Sequence, residues 1–299
     1  MELFKNFNID IIGKKVYCYM LSVLMILAAV FAIVKIRPQM SIEFTGGTLL
    51  QIGFKELPPI DKVRDALNAK GLDGYALQTQ PADHAVIIRL KQGEMSKEDV
   101  SARFVAALKS AFPANVKELP DRVEFVGPVV GKKLAVNALK AIFGSLLVIV
   151  LYVGIRFKNW TWGLVGVLAL AHDVFITFGM MVMMQREITL VVIAALLTLA
   201  GYSINDTIVI FDRVRENART SRKESLKDLY NRSVNETLSR TLITSFIALI
   251  TASSLFFGGD VLFDFAFAMT FGIVIGSYST IGVAIALIHQ WEMARKASR

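Results

Sequence analysis

The sequence has few of the residues on which most catalytic and metal sites depend. Its 299 residues include one cysteine, Cys18, and three histidines, so it can form neither an intramolecular disulfide nor a cysteine-based metal site. No histidines have zinc-ligand spacing, and the chain has no phosphate-binding glycine loop and no nucleophile elbow. We therefore expect no enzyme activity, no bound metal or other cofactor, and no direct use of ATP.

The charge pattern also argues against a nucleic-acid partner, although the net charge is +8. Outside the segment 35–133, most positive residues flank apolar runs on one side. That distribution is typical of a membrane protein whose basic loops stay in the cytoplasm, and it differs from the clustered basic face of a nucleic-acid-binding domain.

Apolar residues, in contrast, are abundant. They make up 54% of the chain, and the mean hydropathy is +0.53, whereas soluble domains are roughly 45–50% apolar. The excess lies in long blocks, which indicates an integral membrane protein in contact with lipid, with one soluble insert.

The first apolar block, residues 16–34, is close to the length of about 20 residues that spans a bilayer. A cleaved signal peptide is the alternative, but its core is shorter, roughly 7–15 residues. No clear small-residue cleavage site follows the block. We favour an uncleaved first transmembrane helix after a cytoplasmic N-terminal segment 1–15, which carries lysines.

Residues 35–133 are mixed in composition and predict a soluble α+β domain. Strand and helix patterns alternate in the order β-α-β-β-α-β, which is typical of a ferredoxin-like domain. The predicted strands are 48–54, 75–80, 84–90 and 123–126, and the predicted helices are 59–70 and 96–112.

Residues 134–290 predict five further transmembrane helices, which gives six in all. A basic connector, 212–240, precedes the fifth helix, and a basic tail, 291–299, ends the chain. With basic loops inside, both termini lie in the cytoplasm and the 35–133 domain lies on the outer side.

Polar residues within these spans are the candidates for function. Asn205 and Asp206 lie in the fourth span, where a charge costs roughly 2.5–3.5 kcal/mol on insertion scales. A chain tolerates such a group if it is paired, neutralised or hydrated. Asp206 is therefore either a functional carboxyl or a carboxyl that a neighbouring helix holds in place.

Three more polar residues extend this set. His172 and Asp173 lie near the middle of the third span, and Arg240 begins the fifth. Carboxylates, an imidazole and a guanidinium inside a helix bundle are the components of a proton path. We predict Asp206 as the proton carrier and Arg240 as its counter-charge. His172 and Asp173 fit a proton path or a hydrogen bond between helices equally well.

Several motifs resemble those of the SecD/SecF family of protein-export membrane proteins, in the resistance-nodulation-division superfamily. The first is Phe44, Thr45, Gly46, Gly47 and Thr48, directly after the first span. The others, which follow in the family's order along the whole chain, are 126–131, 171–173, 201–207 with 211–213, and 239–241. The family's first motif usually begins with Asp, and this chain has Glu43 there.

The resemblance is to the SecF half of the family, and it implies a function. Such a subunit would pair with SecD in the bacterial inner membrane and associate with the SecYEG channel and YajC. It would use the proton motive force to help export precursor proteins. Asp206 matches the family's proton-pathway aspartate, and Arg240 matches its functional arginine.

Two alternatives remain at this point. The chain could be half of a proton-driven exporter of small molecules or lipids, although such pumps usually have much larger external domains. It could also be a scaffold whose buried charges are purely structural, in which case Asp206→Asn would be harmless.

Overall fold

The computed structural model describes residues 8–80, 84–90, 97–117, 119–221 and 224–297. The chain divides into two compact units, one formed by residues 1–39 with 140–299 and the other by residues 40–139. We call them the membrane unit and the small domain. The predicted terminal segments 1–15 and 291–299, the connector 212–240 and the helix 96–112 each include a few residues outside the described ranges.

The helices and strands follow one another in this order. The helices are α1 (Lys15–Phe31), α2 (Ile42–Thr45), α3 (Ile60–Asn68), α4 (Lys97–Ala111), α5 (Pro128–Phe157), α6 (Trp160–Met183), α7 (Leu190–Thr220), α8 (Leu226–Ser254), α9 (Asp260–Ser279) and α10 (Ile285–Ala297). The strands are β1 (Gln39–Met40), β2 (Gly47–Gly53), β3 (Tyr75–Gln80), β4 (Ala85–Leu90), β5 (Arg122–Val126) and β6 (Glu187–Ile188).

Two of the long helices change their winding. After α1 the chain continues as a π-helix, Ala32–Ile36, and a second π-helix, Thr280–Ala284, joins α9 to α10. Short 3₁₀ geometry, Leu255–Phe257, ends α8. Hydropathy alone does not predict these irregular turns.

Six helical segments are long and apolar enough to cross a membrane. They are Lys15–Ile36, Pro128–Phe157, Trp160–Met183, Leu190–Thr220, Leu226–Phe257 and Leu262–Lys296. The prediction of a polytopic helical membrane protein with six spans is confirmed at this level.

Side chains cap the helices that follow the short turns of the membrane unit. Asn159 accepts a hydrogen bond from the Thr161 amide before α6, and Thr189 accepts one from Val192 before α7. Ser225 does the same for Asp228 before α8. These contacts satisfy amide groups that have no partner within the first turn of a helix.

Packing divides the six spans into two groups of three. Half or more of the residues in the most apolar stretches of α6, α7 and the last span are buried, against fewer than a fifth in α1, α5 and α8. We call the first group the inner helices and the second the outer helices. At one end of the bundle, Trp162 packs on Phe157 and Phe211 with ring centroids 5.5 and 5.1 Å apart.

The small domain is a four-stranded sheet with two longer helices packed against it. The strands lie in the order β3-β4-β2-β5, and all neighbours are antiparallel. Leu50, Ile52 and Ile88 of the sheet pack with Leu67 of α3 and Phe104 of α4 in one apolar core. The four predicted strands and two predicted helices all form, within a residue or two of the expected bounds wherever the structure describes them.

Candidate functional site

One face of α7 carries the polar residues at the centre of the membrane unit. Ser203, Asp206 and Thr207 are all buried, with 3%, 4% and 2% of their surface exposed. Their spacing of three and four residues places them on the same side of a helix. This side packs against the other inner helices and α8.

Asp173 of α6 is fully buried and hydrogen-bonded through both carboxylate oxygens. Its Oδ1 lies 2.9 Å from His172 Nδ1. Its Oδ2 accepts a hydrogen bond of 2.6 Å from the Ser203 hydroxyl of α7. The Asp173 carboxyl thus joins two inner helices, whereas the contact of His172 is with its neighbour on the same helix.

A glycine of α9 lies beside this network. A Cβ added to Gly276 would lie 3.3 Å from the Ser203 side chain and 3.6 Å from Asp173 Oδ2. The absence of a side chain lets α9 approach the carboxyl closely, so all three inner helices meet here.

A hydroxyl pair continues the polar band toward the last span. The Thr207 and Thr280 hydroxyls lie 3.0 Å apart, and both residues are buried. Thr280 is the first residue of the second π-helix. π-Helical turns occur frequently at functional sites, because they re-aim side chains within a helix.

Asp206 faces α8. The hydroxyls of Thr244 and Ser245 and the charge of Arg240 all act on its carboxyl group. Asp206 Oδ2 is buried and has no hydrogen-bond partner among the residues that the structure describes. One side of this carboxyl is therefore free to bind a proton or to accept another donor.

Ser245 links Asp206 to two further hydroxyls. It accepts a hydrogen bond of 3.1 Å from Tyr202 of α7 and one of 2.8 Å from Ser277 of α9. The acid thus lies at one end of a chain of hydroxyl groups that crosses from α7 through α8 to α9. Such groups both donate and accept, so they can pass a proton without moving far.

Arg240, whose charge acts on Asp206, is exposed. It lines an open groove of about 620 Å³ between α7 and α8. The other lining residues are Ile208, Val209, Asp212, Arg213, Arg215, Glu216, Arg219 and Thr237. Arg240 thus lies among charged residues of α7, whereas Asp206 itself does not line the groove.

The charged residues at the end of α7 are paired locally. Arg213 contacts Glu236 at 2.6 Å and Glu216 at 2.7 Å, and Asp212 contacts Arg156 at 3.0 Å. All of these groups are partly exposed, so each pair stabilises the fold only weakly.

Asn205 is not brought together with the other candidates. Its side chain is exposed, and so is Gly201 one turn earlier. Consecutive helical residues are rotated by about 100°, so Asn205 and Asp206 cannot both face α8. Asn205, a candidate from the sequence, therefore lies on a different face of α7 from Asp206.

The five motif residues of the small domain, Phe44 to Thr48, form a packed turn. Gly46 has a φ of 72°, which favours glycine, and its amide lies 2.9 Å from a Cβ built on Gly131. The Phe44 carbonyl oxygen lies 3.2 Å from the same position. The first motif and the 126–131 motif are thus one joint, in which two backbones touch at the start of α5.

Several residues of the site were missed from sequence. They are Tyr202, Ser203, Thr207, Ser277 and Thr280, which are hydroxyl residues at helical spacing within apolar spans. Their helical spacing could have indicated a shared polar face. Hydroxyl groups, however, often hydrogen-bond to carbonyls of their own helix, so they do not identify a site by themselves.

Comparison with known proteins gives consistent results. The sequence model described as "Protein export membrane protein SecD/SecF, C-terminal" matches residues 105–294. A protein translocase subunit SecF from Endomicrobium trichonymphae is 37% identical over 98% of this chain and 94% of its own. The same subunit from Vibrio alginolyticus is 41% identical over 90% of this chain and 85% of its own.

A solved structure is similar over almost the whole chain. The crystal structure of SecDF, a translocon-associated membrane protein from Thermus thermophilus, matches with a TM-score of 0.85 and 36% identity. The match covers 96% of this chain but 39% of the SecDF chain. The chain studied here therefore spans about two fifths of that protein.

Proposed function

The chain belongs to the SecD/SecF family as a SecF-type protein translocase subunit, and from that premise we propose that Asp206 couples proton movement to export. Subunits of this kind are not enzymes. They are multi-pass proteins of the bacterial inner membrane, and they act with SecD in protein translocation.

One observation carries the proposal about Asp206. Its carboxyl is buried within a membrane span, and one oxygen has no hydrogen-bond partner among the described residues. Retaining such a group is costly, so its presence favours a role that needs it. Binding a proton would neutralise it, and releasing the proton would restore the attraction of Arg240.

The neighbours of Asp206 support a mechanism for coupling. When the carboxyl is charged, the attraction of Arg240 favours the present packing of α7 against α8. When it is protonated, that attraction is lost and only the weaker influence of the Thr244 and Ser245 hydroxyls remains. Proton binding would thus shift the balance between two arrangements of the helices. In this proposal, Asp173 and His172 hold α6 against α7 while that shift occurs.

The alternative functions are less well supported. The relatives described above are translocase subunits, and an external domain of residues 40–139 is small for an exporter that must bind drugs or lipids. A purely structural role for Asp206 fits poorly with an unpartnered oxygen, because a structural carboxyl is usually fully hydrogen-bonded.

The finer assignments also belong to the proposal. We infer cytoplasmic termini, with the small domain in the periplasm, from the basic residues at the inner loops. The strand order β3-β4-β2-β5, with α3 and α4 packed in one core with the sheet, favours a ferredoxin-like domain. SecYEG and YajC, together with the translocating precursor, are the further partners that the family resemblance suggests.

The decisive experiment is pulse-chase export of a periplasmic precursor in cells depleted of their own SecF. The cells would express this chain with its cognate SecD. We expect Asp206→Asn to abolish rescue at equal membrane levels. Asp212→Asn is the matched control, because Asp212 lies on the same helix but is half exposed and paired with Arg156. Full rescue by Asp206→Asn would refute the coupling role.

A further inference from the structure

The N-terminal segment before the first span is held by a cluster of side chains on α8. Ile9 and Asn235 exchange two hydrogen bonds: the Ile9 amide donates to Asn235 Oδ1 at 2.9 Å, and Asn235 Nδ2 donates to the Ile9 carbonyl at 3.0 Å. One turn away, Asn231 Oδ1 accepts from the Ile11 and Ile12 amides at 3.0 and 2.9 Å. The two asparagine side chains thus hydrogen-bond to the backbone of Ile9, Ile11 and Ile12.

Charge reinforces these contacts. Asp10 Oδ2 lies 2.7 Å from Lys227 Nζ, and Asp10 Oδ1 accepts from Asn231 Nδ2 at 2.7 Å and from the Gly13 amide at 2.8 Å. The hydrogen bonds from Lys227, Gly13 and Asn231 lower the pKa of Asp10 to about 2. Asp10 is therefore charged at any pH near neutral.

Apolar burial completes the attachment. Ile11 and Ile12 are 6% and 4% exposed, and they pack in a core with Phe157, Tyr230 and Ile288. We call this assembly, residues 9–13 with Lys227, Asn231 and Asn235, the N-terminal clasp. It ties the beginning of α1 to the beginning of α8.

The clasp lies on the helix that carries the groups facing Asp206. Arg240 follows Asn235 by five residues, about 7.5 Å along the helix axis, and Thr244 and Ser245 follow it. The outer helix α8 is thus held both by the clasp and by the hydrogen bonds that Arg213 and Asn217 of α7 donate to its Glu236. Its position along its own axis decides how far Arg240 lies from the Asp206 carboxyl.

We propose that the N-terminal clasp sets the position of α8, so that Asn231 and Asn235 are positioning residues for the Asp206–Arg240 pair. The inference rests on the proposed coupling role of Asp206. It gives the N-terminal segment a part in ion coupling although the segment touches neither Asp206 nor Arg240. The clasp stays closed throughout the transport cycle.

The first test is the double variant Asn231→Ala with Asn235→Ala, measured by precursor export from spheroplasts across a range of external pH. We expect the export rate to fall several-fold and its pH profile to shift, because Arg240 no longer lies at a fixed distance from Asp206. The groups that act on Asp206 are Thr244, Ser245, Arg240 and Tyr202. The double variant leaves these four residues unchanged.

The matched control is Thr251→Ala with Ser254→Ala. Both residues are exposed on α8, and their hydroxyls bond only to carbonyls of their own helix. It should leave the rate and the pH profile unchanged. A clasp variant with a reduced rate but an unshifted pH profile would show a merely structural role and overturn the inference.

The second test holds the clasp closed and does not depend on the folding of a weakened variant. In a Cys18→Ala background, Ile9→Cys with Asn235→Cys would be oxidised to a disulfide in inverted membrane vesicles. We expect the cross-linked protein to support translocation at least as fast as the reduced protein, because the disulfide replaces the two hydrogen bonds of Asn235. Loss of activity on oxidation, with recovery on reduction, would show that the clasp has to open and would overturn the inference.

Asp206→Asn, measured in the same vesicles, separates the two claims. If it is fully active, the proposed function fails. If it is inactive while the variant Asn231→Ala with Asn235→Ala behaves like the parent chain, the coupling role stands and the positioning role of the clasp fails.

Discussion

The inner and outer helices of the membrane unit have similar hydropathy but differ in what their polar residues do. On the inner helices α6 and α7, Asp173 and Ser203 are buried and bonded to each other. On the outer helices α5 and α8, charged residues such as Arg156 and Arg240 are exposed. Apolar composition alone therefore identifies a span but does not say which spans form the core.

Glycine shows the same difference. A Cβ on Gly272 of α9 would overlap the Leu199 side chain of α7, whereas one on Gly144 of α5 would meet no atom within 4 Å. Inner glycines permit close packing between helices. Gly144 has no such role among the residues that the structure describes.

The largest expected difference in the free energy of unfolding is between variants of two carboxylates, Asp173 and Asp212. Asp173→Ala leaves the Ser203 hydroxyl and His172 without their buried partner, which we expect to cost about 3 kcal/mol. Asp212→Ala breaks a half-exposed pair with Arg156 and should cost less than about 1 kcal/mol. Thermal unfolding of the full chain in detergent micelles measures both. Equal costs would contradict the distinction between the buried polar groups of the bundle and the exposed charges at its ends.

The second comparison uses glycines. Gly272→Ala forces α9 away from Leu199 and should cost about 2 kcal/mol, as overpacked cores do. Gly144→Ala should change stability by less than about 0.5 kcal/mol. The same unfolding assay applies, and a destabilising Gly144→Ala would indicate a partner packed on α5.

The distinction between close and open glycines should extend to the small domain. A Cβ on Gly131 would lie against the backbone of Gly46 and Phe44, whereas one on Gly127 would meet nothing within 4 Å. We expect Gly131→Ala to cost about 1–2 kcal/mol and Gly127→Ala almost nothing. Protection of residues 40–139 from limited proteolysis in the full chain gives the readout. Equal sensitivity of the two variants would contradict the joint between the motifs.

The smallest effect is expected on the outer surface. Phe143 of α5 is 67% exposed, so Phe143→Leu should change the free energy of unfolding by less than about 0.5 kcal/mol. Export in the rescue assay tests whether SecD covers this face. Normal stability with reduced export would sharpen the comparison, because it would mark part of the outer surface as an interface.

The sequence predicted what depends on local composition. The six spans follow from apolar length, and the strands and helices of the small domain follow from their periodicity, so both were expected correctly. Asp206 was singled out for its charge at membrane depth, and its functional role stays a prediction.

The remaining features depend on contacts between distant parts of the chain. Asn205 adjoins Asp206 in sequence but is exposed, because neighbouring helical residues face different sides. The segment 9–13 lies within the predicted cytoplasmic N-terminal segment 1–15, and its partner Asn231 lies more than 200 residues away. No periodicity within either segment indicates such a contact.

The π-helix Thr280–Ala284 has a consequence for comparing this chain with its relatives. A π turn accommodates one residue more than an α-helical turn while the flanking helices keep their faces. A relative with one residue fewer between Ser279 and Ile285 would therefore present the same surfaces through a continuous α-helix. Elsewhere in the span, the same deletion would rotate everything beyond it by about 100°. An alignment gap within 280–284 is thus conservative, and one a few residues away is not.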